Sequence, residues 1–187
     1  EQFSYLRRYD EALAEFQRAE ELDPLSSIIR LQEAWAWWCK GRIDQAIQVC
    51  RKALELDPDF SQLHGTLALM LPEKNLFSEA VTEGRKARTL DAVNIVPLGY
   101  ALARSGDKAG AAEVLSELEE RARKGFEVRG DMARIYWGLG DPGKTLDLLE
   151  QAFASGEFIF FIDFPLWAEL RSNPRHQALR RKIGLAP

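Results

Sequence analysis

The sequence predicts an all-α protein, a right-handed superhelical α-solenoid of antiparallel helix pairs with a C-terminal capping segment. Three observations predict it. Ala12, Phe16, Ala19 and Pro24 recur 34 residues later as Ala46, Cys50, Ala53 and Pro58. The tripeptide Leu-Asp-Pro at 22–24 returns at 56–58. Residues that tolerate the left-handed conformation ending a helix stand between the helices of successive pairs, at Gly41, Asn75, Gly106 and Gly140. Paired small residues, a bulky one between them and a closing proline, repeated at this period, mark a helical repeat. Each pair buries its apolar face only against its neighbours, so the fold is a device for making surface.

The equivalent points Ala12, Ala46, Ala80, Ala111 and Thr145 lie 34, 34, 31 and 34 residues apart, which defines five units. They fall at about 1–24 (partial), 25–58, 59–92, 93–124 and 125–153, with a cap at 154–187, all in a single domain. The second small position follows as Ala19, Ala53, Ala87, Leu118 and Ala152. Asp44, Asp107 and Asp141 stand where a carboxylate can cap the second helices. Three residues are missing between Asp91 and Gly99, where Pro97 can open a shortened first helix. Pro72 should end the preceding first helix early, because a helix-interior proline costs about 3 kcal/mol. Units three and four are therefore the irregular joint.

After 153 the pattern dissolves and then resumes as two short helices at 165–171 and 174–183. Each has a proline in its first turn, Ser172 or Asn173 can cap the second, and Gly184 ends it. A solenoid needs an atypical last unit to cover its final repeat. The apolar run at 158–164 suits that role; the alternative is a patch used for association.

Composition narrows the function classes. A chain of 187 residues, 46% apolar and 29% charged, has the make-up of a soluble domain with a sizeable core. A net charge of -4 gives no reason to expect nucleic-acid binding. Arg171, Arg175, Arg180, Arg181 and Lys182 follow the last acid, Glu169, and read as a solvated helix end that complements its dipole. Cys39 and Cys50 fall in the two helices of one unit, far in sequence from His64 and His176, so no metal spacing exists and no metal or cofactor is expected. They read as buried free thiols, with a reversible disulfide as the alternative. The run at 158–167 (FIFFIDFPLW) is too short to span a bilayer. The chain opens inside a helix without a methionine, which suggests a piece of a longer protein.

These residues resemble the tetratricopeptide repeat (TPR) family. Ala12-x3-Phe16 with Ala19 and Pro24, then Ala46-x3-Cys50 with Ala53 and Pro58, follow its second-helix pattern. Later units depart: Gly84 replaces the phenylalanine, Ala92 the proline and Thr145 an alanine. Narrower similarity lies in residues 98–107, in Leu139-Gly140-Asp141, in residues 170–175 (LRSNPR) and in Ile183-Gly184-Leu185. This resembles the C-terminal TPR region of bacterial multidomain signalling proteins, with Asn173 and His176 departing from its commoner Asp and Phe. The resemblance implies a cytoplasmic regulatory region attached to a winged-helix, cyclase or kinase domain, with its natural terminus near Pro187.

In this family the first helices line the concave face. The positions expected to be exposed there are Ile28, Leu31, Trp35 and Trp38, Leu69, Tyr100 and Arg104, and Arg134 and Trp137. They would form an aromatic groove with positive charge at one end, the composition enriched where partners bind. Trp35, Trp37 and Trp38 cannot all point one way on one helix, so some are core. The positions of the family's carboxylate clamp hold Leu31, Gln32, Trp35, Gln62 and Thr66, which excludes a chaperone-tail adaptor.

Gly138, Gly140 and Gly143 spell G-x-G-x-x-G, yet a helix rather than a strand precedes them, so they serve a turn and not a dinucleotide. Glu117, Glu119 and Glu120 stand four residues before Arg121, Arg123 and Lys124, the pattern of salt-linked solvent faces. No nucleophile–base pair appears, so the expectation is a non-catalytic scaffold for protein–protein interaction or self-association. The partner would be an apolar peptide, a helix or a second copy, with neither nucleic acid nor membrane involved. The alternative is a sensory or autoinhibitory domain that binds a small ligand or peptide.

Overall fold

A computed structural model describes residues 9–157 and 160–185, the side chains of 160 and 161 excepted. Residues 1–8 of the partial first unit and residues 158–159 of the apolar run lie outside that description. Ten α-helices follow one another in the described residues, with no strand among them. They are α1 (Tyr9–Leu22), α2 (Ser27–Cys39), α3 (Ile43–Leu56), α4 (Ser61–Met70), α5 (Phe77–Leu90), α6 (Val96–Ser105), α7 (Lys108–Arg123), α8 (Arg129–Gly138), α9 (Pro142–Ala154) and α10 (Pro174–Lys182). Helices α2–α3, α4–α5, α6–α7 and α8–α9 pair within units. The first helices α4, α6 and α8 also pack side by side, which builds an α-solenoid.

The repeat positions are what hold the pairs together. Ala46, Cys50 and Ala53 of α3, Ala80 and Ala87 of α5, and Thr145 and Ala152 of α9 are all at most 2% exposed. Thr145 takes an alanine's place without cost in buried polarity, because its hydroxyl donates to the Asp141 carbonyl at 2.7 Å. Gly84 replaces a phenylalanine for a steric reason. A Cβ there would sit 2.8 Å from the Leu98 Cα, so the bare backbone lets α6 close onto α5 where the linker is short.

The irregular joint has the form its prolines dictate. Helix α4 stops at Met70, and Leu71–Lys74 continue as a 3-10 turn with Pro72 in its first residues. Asn75 then takes φ 59°, the single non-glycine residue with positive φ among those described. Pro97 opens the shortened α6. Asp107 and Asp141 cap α7 and α9 through the Gly110 and Lys144 amides, at 2.9 and 2.8 Å. Asp44 does not cap α3. It lies one residue inside the helix, whose N-cap is Arg42, and pairs with Lys74 at 2.8 Å.

The C-terminal end differs from expectation in two respects. Residues Pro165–Leu170 form a 3-10 rather than an α-helix, with Trp167 at non-helical angles. Arg180 is not solvated: it is buried and pairs at 2.9 Å with the buried Asp163. Arg175 is the residue that ties α10 to α9, through Asp147 and Glu150 at 2.7 and 2.8 Å. That pairing holds the Glu150 carboxyl below its ordinary pKa. Asn173 caps α10 through the Arg175 amide, and Gly184 ends it with φ 82°.

Candidate functional site

A cavity of about 640 Å³ opens on the concave face. Its walls come from α1, α2, α4, the 93–97 turn, α8 and the C-terminal 3-10 segment. Five of the nine residues expected in the groove line it: Leu31, Trp35, Leu69, Trp38 and Arg134. Trp35 is the half-buried aromatic among them, and it meets Phe164, also in the cavity lining, with the two rings tilted by 36°.

The remaining expected residues lie elsewhere, each for a local reason. Ile28, one turn nearer the start of α2, is 52% exposed beyond the cavity. Tyr100 is 2% exposed, because Gly138 has no side chain to hold α8 off its ring. Burial pushes its phenol pKa up. Arg104 stands beside Tyr100 and Glu73 rather than in the cavity wall. Trp137 packs on Trp167, ring centroids 6.2 Å apart.

Three of the five that do line it are less open than a free groove position. Leu31 and Leu69 are more than nine-tenths buried and give the cavity little accessible surface. Trp38 is 1% exposed and donates its indole N–H to Glu73 at 2.9 Å. The 3-10 turn after Pro72 folds Glu73 over Trp38, and burial raises the Glu73 carboxyl pKa.

Polar groups also line the cavity. Gln32 and Gln62 are exposed residues on neighbouring first helices, with Thr66 one turn further along α4 and Asn94 at the far edge. Asn94 is already committed, its amide donating to the Ser61 hydroxyl at 2.9 Å. Arg134 pairs with Asp131 at 3.0 Å, and desolvation lowers its pKa. At the α1 end, Tyr9 and Cys39 share a hydrogen bond. Burial lifts the phenol to about 12 and the thiol to about 11, so both stay protonated at neutral pH. Burial also pushes the Cys50 thiol to about 12, and both cysteines are free.

Sequence reasoning missed two contributors. Ala12 and Phe16 occupy repeat positions that are covered in units two to five, but in unit one they are half-buried and face the cavity. No first helix of that unit lies among the described residues. The second is the segment carrying Phe164, Leu166 and Trp167, part of the C-terminal cap, which packs on the last repeat and also lines the cavity. Glu157 marks its start, accepting from the Gly130 and Arg129 amides at 2.8 and 3.2 Å, where the N-terminus of α8 favours an anion. Among the described residues no group of three or more His, Cys, Asp or Glu could hold a metal ion.

Fold and site together define a helical-repeat scaffold with a lined cavity on its concave face. The tetratricopeptide repeat family model matches residues 3–59. A TPR repeat-containing thioredoxin of Arabidopsis thaliana is 37% identical over 60 residues, covering 32% of this chain and 9% of that protein. The chain thus matches less than a tenth of that relative's length. The crystal structure of a tetratricopeptide repeat protein from Parabacteroides merdae superposes with a TM-score of 0.63 at 12% identity, over 94% of this chain and 71% of that one. The first two support a tetratricopeptide repeat within this chain, and the third bears on fold alone. TPR arrays mediate protein–protein interaction and are typically non-catalytic.

Proposed function

We propose that this chain is a non-catalytic protein-interaction module that receives an apolar, aromatic-bearing segment of a partner in its concave cavity. It serves as the regulatory or self-association region of a larger bacterial cytoplasmic protein. The observation that carries the reading is the mixed lining of the cavity: the half-buried Trp35 ring, the exposed Gln32 one turn before it on α2, and the exposed Gln62 on α4. Such a lining buries an apolar side chain and offers donors and acceptors for a peptide backbone beside it. The bacterial signalling context rests on the sequence similarity at 98–107, 139–141, 170–175 and 183–185. No described helix is long and apolar enough to cross a membrane, which is compatible with a cytoplasmic place.

Selecting peptides from a random library on the immobilised chain tests this reading. Enriched peptides should carry aromatic residues, and their affinity should fall at least tenfold for Trp35→Ala while helical circular dichroism persists. Retained affinity in that folded variant refutes the groove assignment. A small-ligand reading has one supporting observation, the cavity volume, which lies within the range of about 300–1,000 Å³ typical of ligand pockets. It requires saturable tryptophan quenching by a metabolite, and a fluorescence screen without any such response rejects it.

A further inference from the structure

The chain fills part of the groove with a segment of itself. Phe164 is extended (φ -65°, ψ 153°), Pro165 starts the 3-10 turn, and Trp167 follows Phe164 by three residues. Phe164 lies just before the turn and Trp167 within it at non-helical angles, and both line the cavity. Phe164 packs on Trp35 of α2 with centroids 4.8 Å apart and rings tilted by 36°, and Trp167 meets Trp137 of α8 and is fully buried. The segment therefore bridges the first helices of units two and five.

Apolar burial and a polar latch both secure it: Ile162, Leu166, Trp167 and Leu170 join the hydrophobic core. The Asp163–Arg180 pair is buried at 2.9 Å, the Arg171 guanidinium donates to the Asp163 carbonyl at 3.2 Å, and His176 donates from Nε2 to the Ile162 carbonyl at 3.2 Å. Buried ion pairs lose in desolvation much of what they gain in attraction, so this latch fixes position more than it adds stability. Gly156, at φ 81° just after α9, gives the segment a turn at its base.

We propose that the segment at 162–171 is an intramolecular ligand of the groove, and that the external partner carries the same chemistry, an aromatic residue, a proline and a second aromatic three positions after the first. This rests on the groove reading above and names its ligand. The partner enters where Phe164 and Trp167 now sit, the segment lifting to admit it. The open cavity beside the segment accommodates the partner's flanking residues.

A fluorescent peptide of residues 162–171, titrated into the full chain and read by anisotropy, tests the proposal. It should bind the Phe164→Ala/Trp167→Ala chain at least tenfold more tightly than the unmodified chain, and adding Trp35→Ala should abolish the gain. Equal binding to both chains, or no binding to a double variant that keeps its helical circular dichroism, overturns it. Should the double variant not fold, Phe164→Ala alone, at a half-buried position, carries the same comparison. Library-selected peptides that bind the groove without competing with this peptide overturn the shared site and leave the proposed function standing. Rebinding of residues 162–171 with no library peptide selected does the reverse.

Discussion

Replacing Gly84 with alanine sets two effects of known sign against each other. In mid-helix, alanine gains about 1 kcal/mol over glycine by propensity. The new Cβ, however, would stand 2.8 Å from the Leu98 Cα and 3.1 Å from its amide nitrogen, both backbone atoms of α6. Relief requires α6 to retreat by roughly half an ångström along its contact with α5, and overpacking of this kind costs about 1–3 kcal/mol. The cost exceeds the gain, so Gly84→Ala should destabilise the protein by about 1 kcal/mol, or about 2–4 °C in Tm for a chain of this size. Gly143→Ala is the control. It lies in the exposed first turn of α9, its nearest neighbour is the Asp141 side chain at 3.5 Å, and it should stabilise slightly. Thermal unfolding followed by circular dichroism reads both. A Gly84→Ala protein as stable as Gly143→Ala would refute the close-approach argument and with it the explanation for the lost phenylalanine.

Asp163→Asn leaves the Arg180 charge buried without its counter-ion and should cost about 3–5 kcal/mol in urea denaturation, whereas the apolar pair Asp163→Leu/Arg180→Met should cost less. Equal losses would count against a buried ion pair. His176 is fully buried beside Arg180, Arg171 and Asp163, and desolvation lowers its folded pKa below the ordinary 6.5. The unfolded chain therefore binds the proton first, so stability is complete above that value and declines as pH falls through 6.5 toward the folded pKa. His176→Gln should flatten the decline, and an unchanged pH profile removes His176 as its cause. Burial holds both thiols protonated, so Ellman's reagent at neutral pH should react slowly with Cys39, more slowly with Cys50, and with both at once in guanidinium. Immediate reaction of both in the native protein contradicts the packing.

The architecture was legible because each repeat position reports one local contact. Ala46, Ala53 and Ala80 are small because a helix crosses there, and Pro72, Pro97 and Asn75 act through their own backbones. The concave face was only half legible, since its burial depends on which first helix lies beside which. Trp38 disappears under Glu73 because a 3-10 turn carries that carboxylate over it, and Tyr100 disappears because Gly138 is thirty-eight residues away in sequence and adjacent in space. The C-terminal segment was the least legible. Phe164, Pro165 and Trp167 are apolar enough for any covering role, and it takes the curvature of the whole array to bring Trp35 within 4.8 Å of Phe164.

The cavity wall can be altered without touching the core, through the exposed Gln32 and Gln62. Gln62→Trp places a bulky ring in the cavity from a solvent-facing position, so the fold should persist while the site is filled. The affinity of a library-selected peptide for the Gln62→Trp and unmodified chains, measured side by side by calorimetry, is the most direct test of the concave face as the binding surface. The account predicts at least a tenfold loss with unchanged Tm; equal affinities would place binding elsewhere on the solenoid and contradict it.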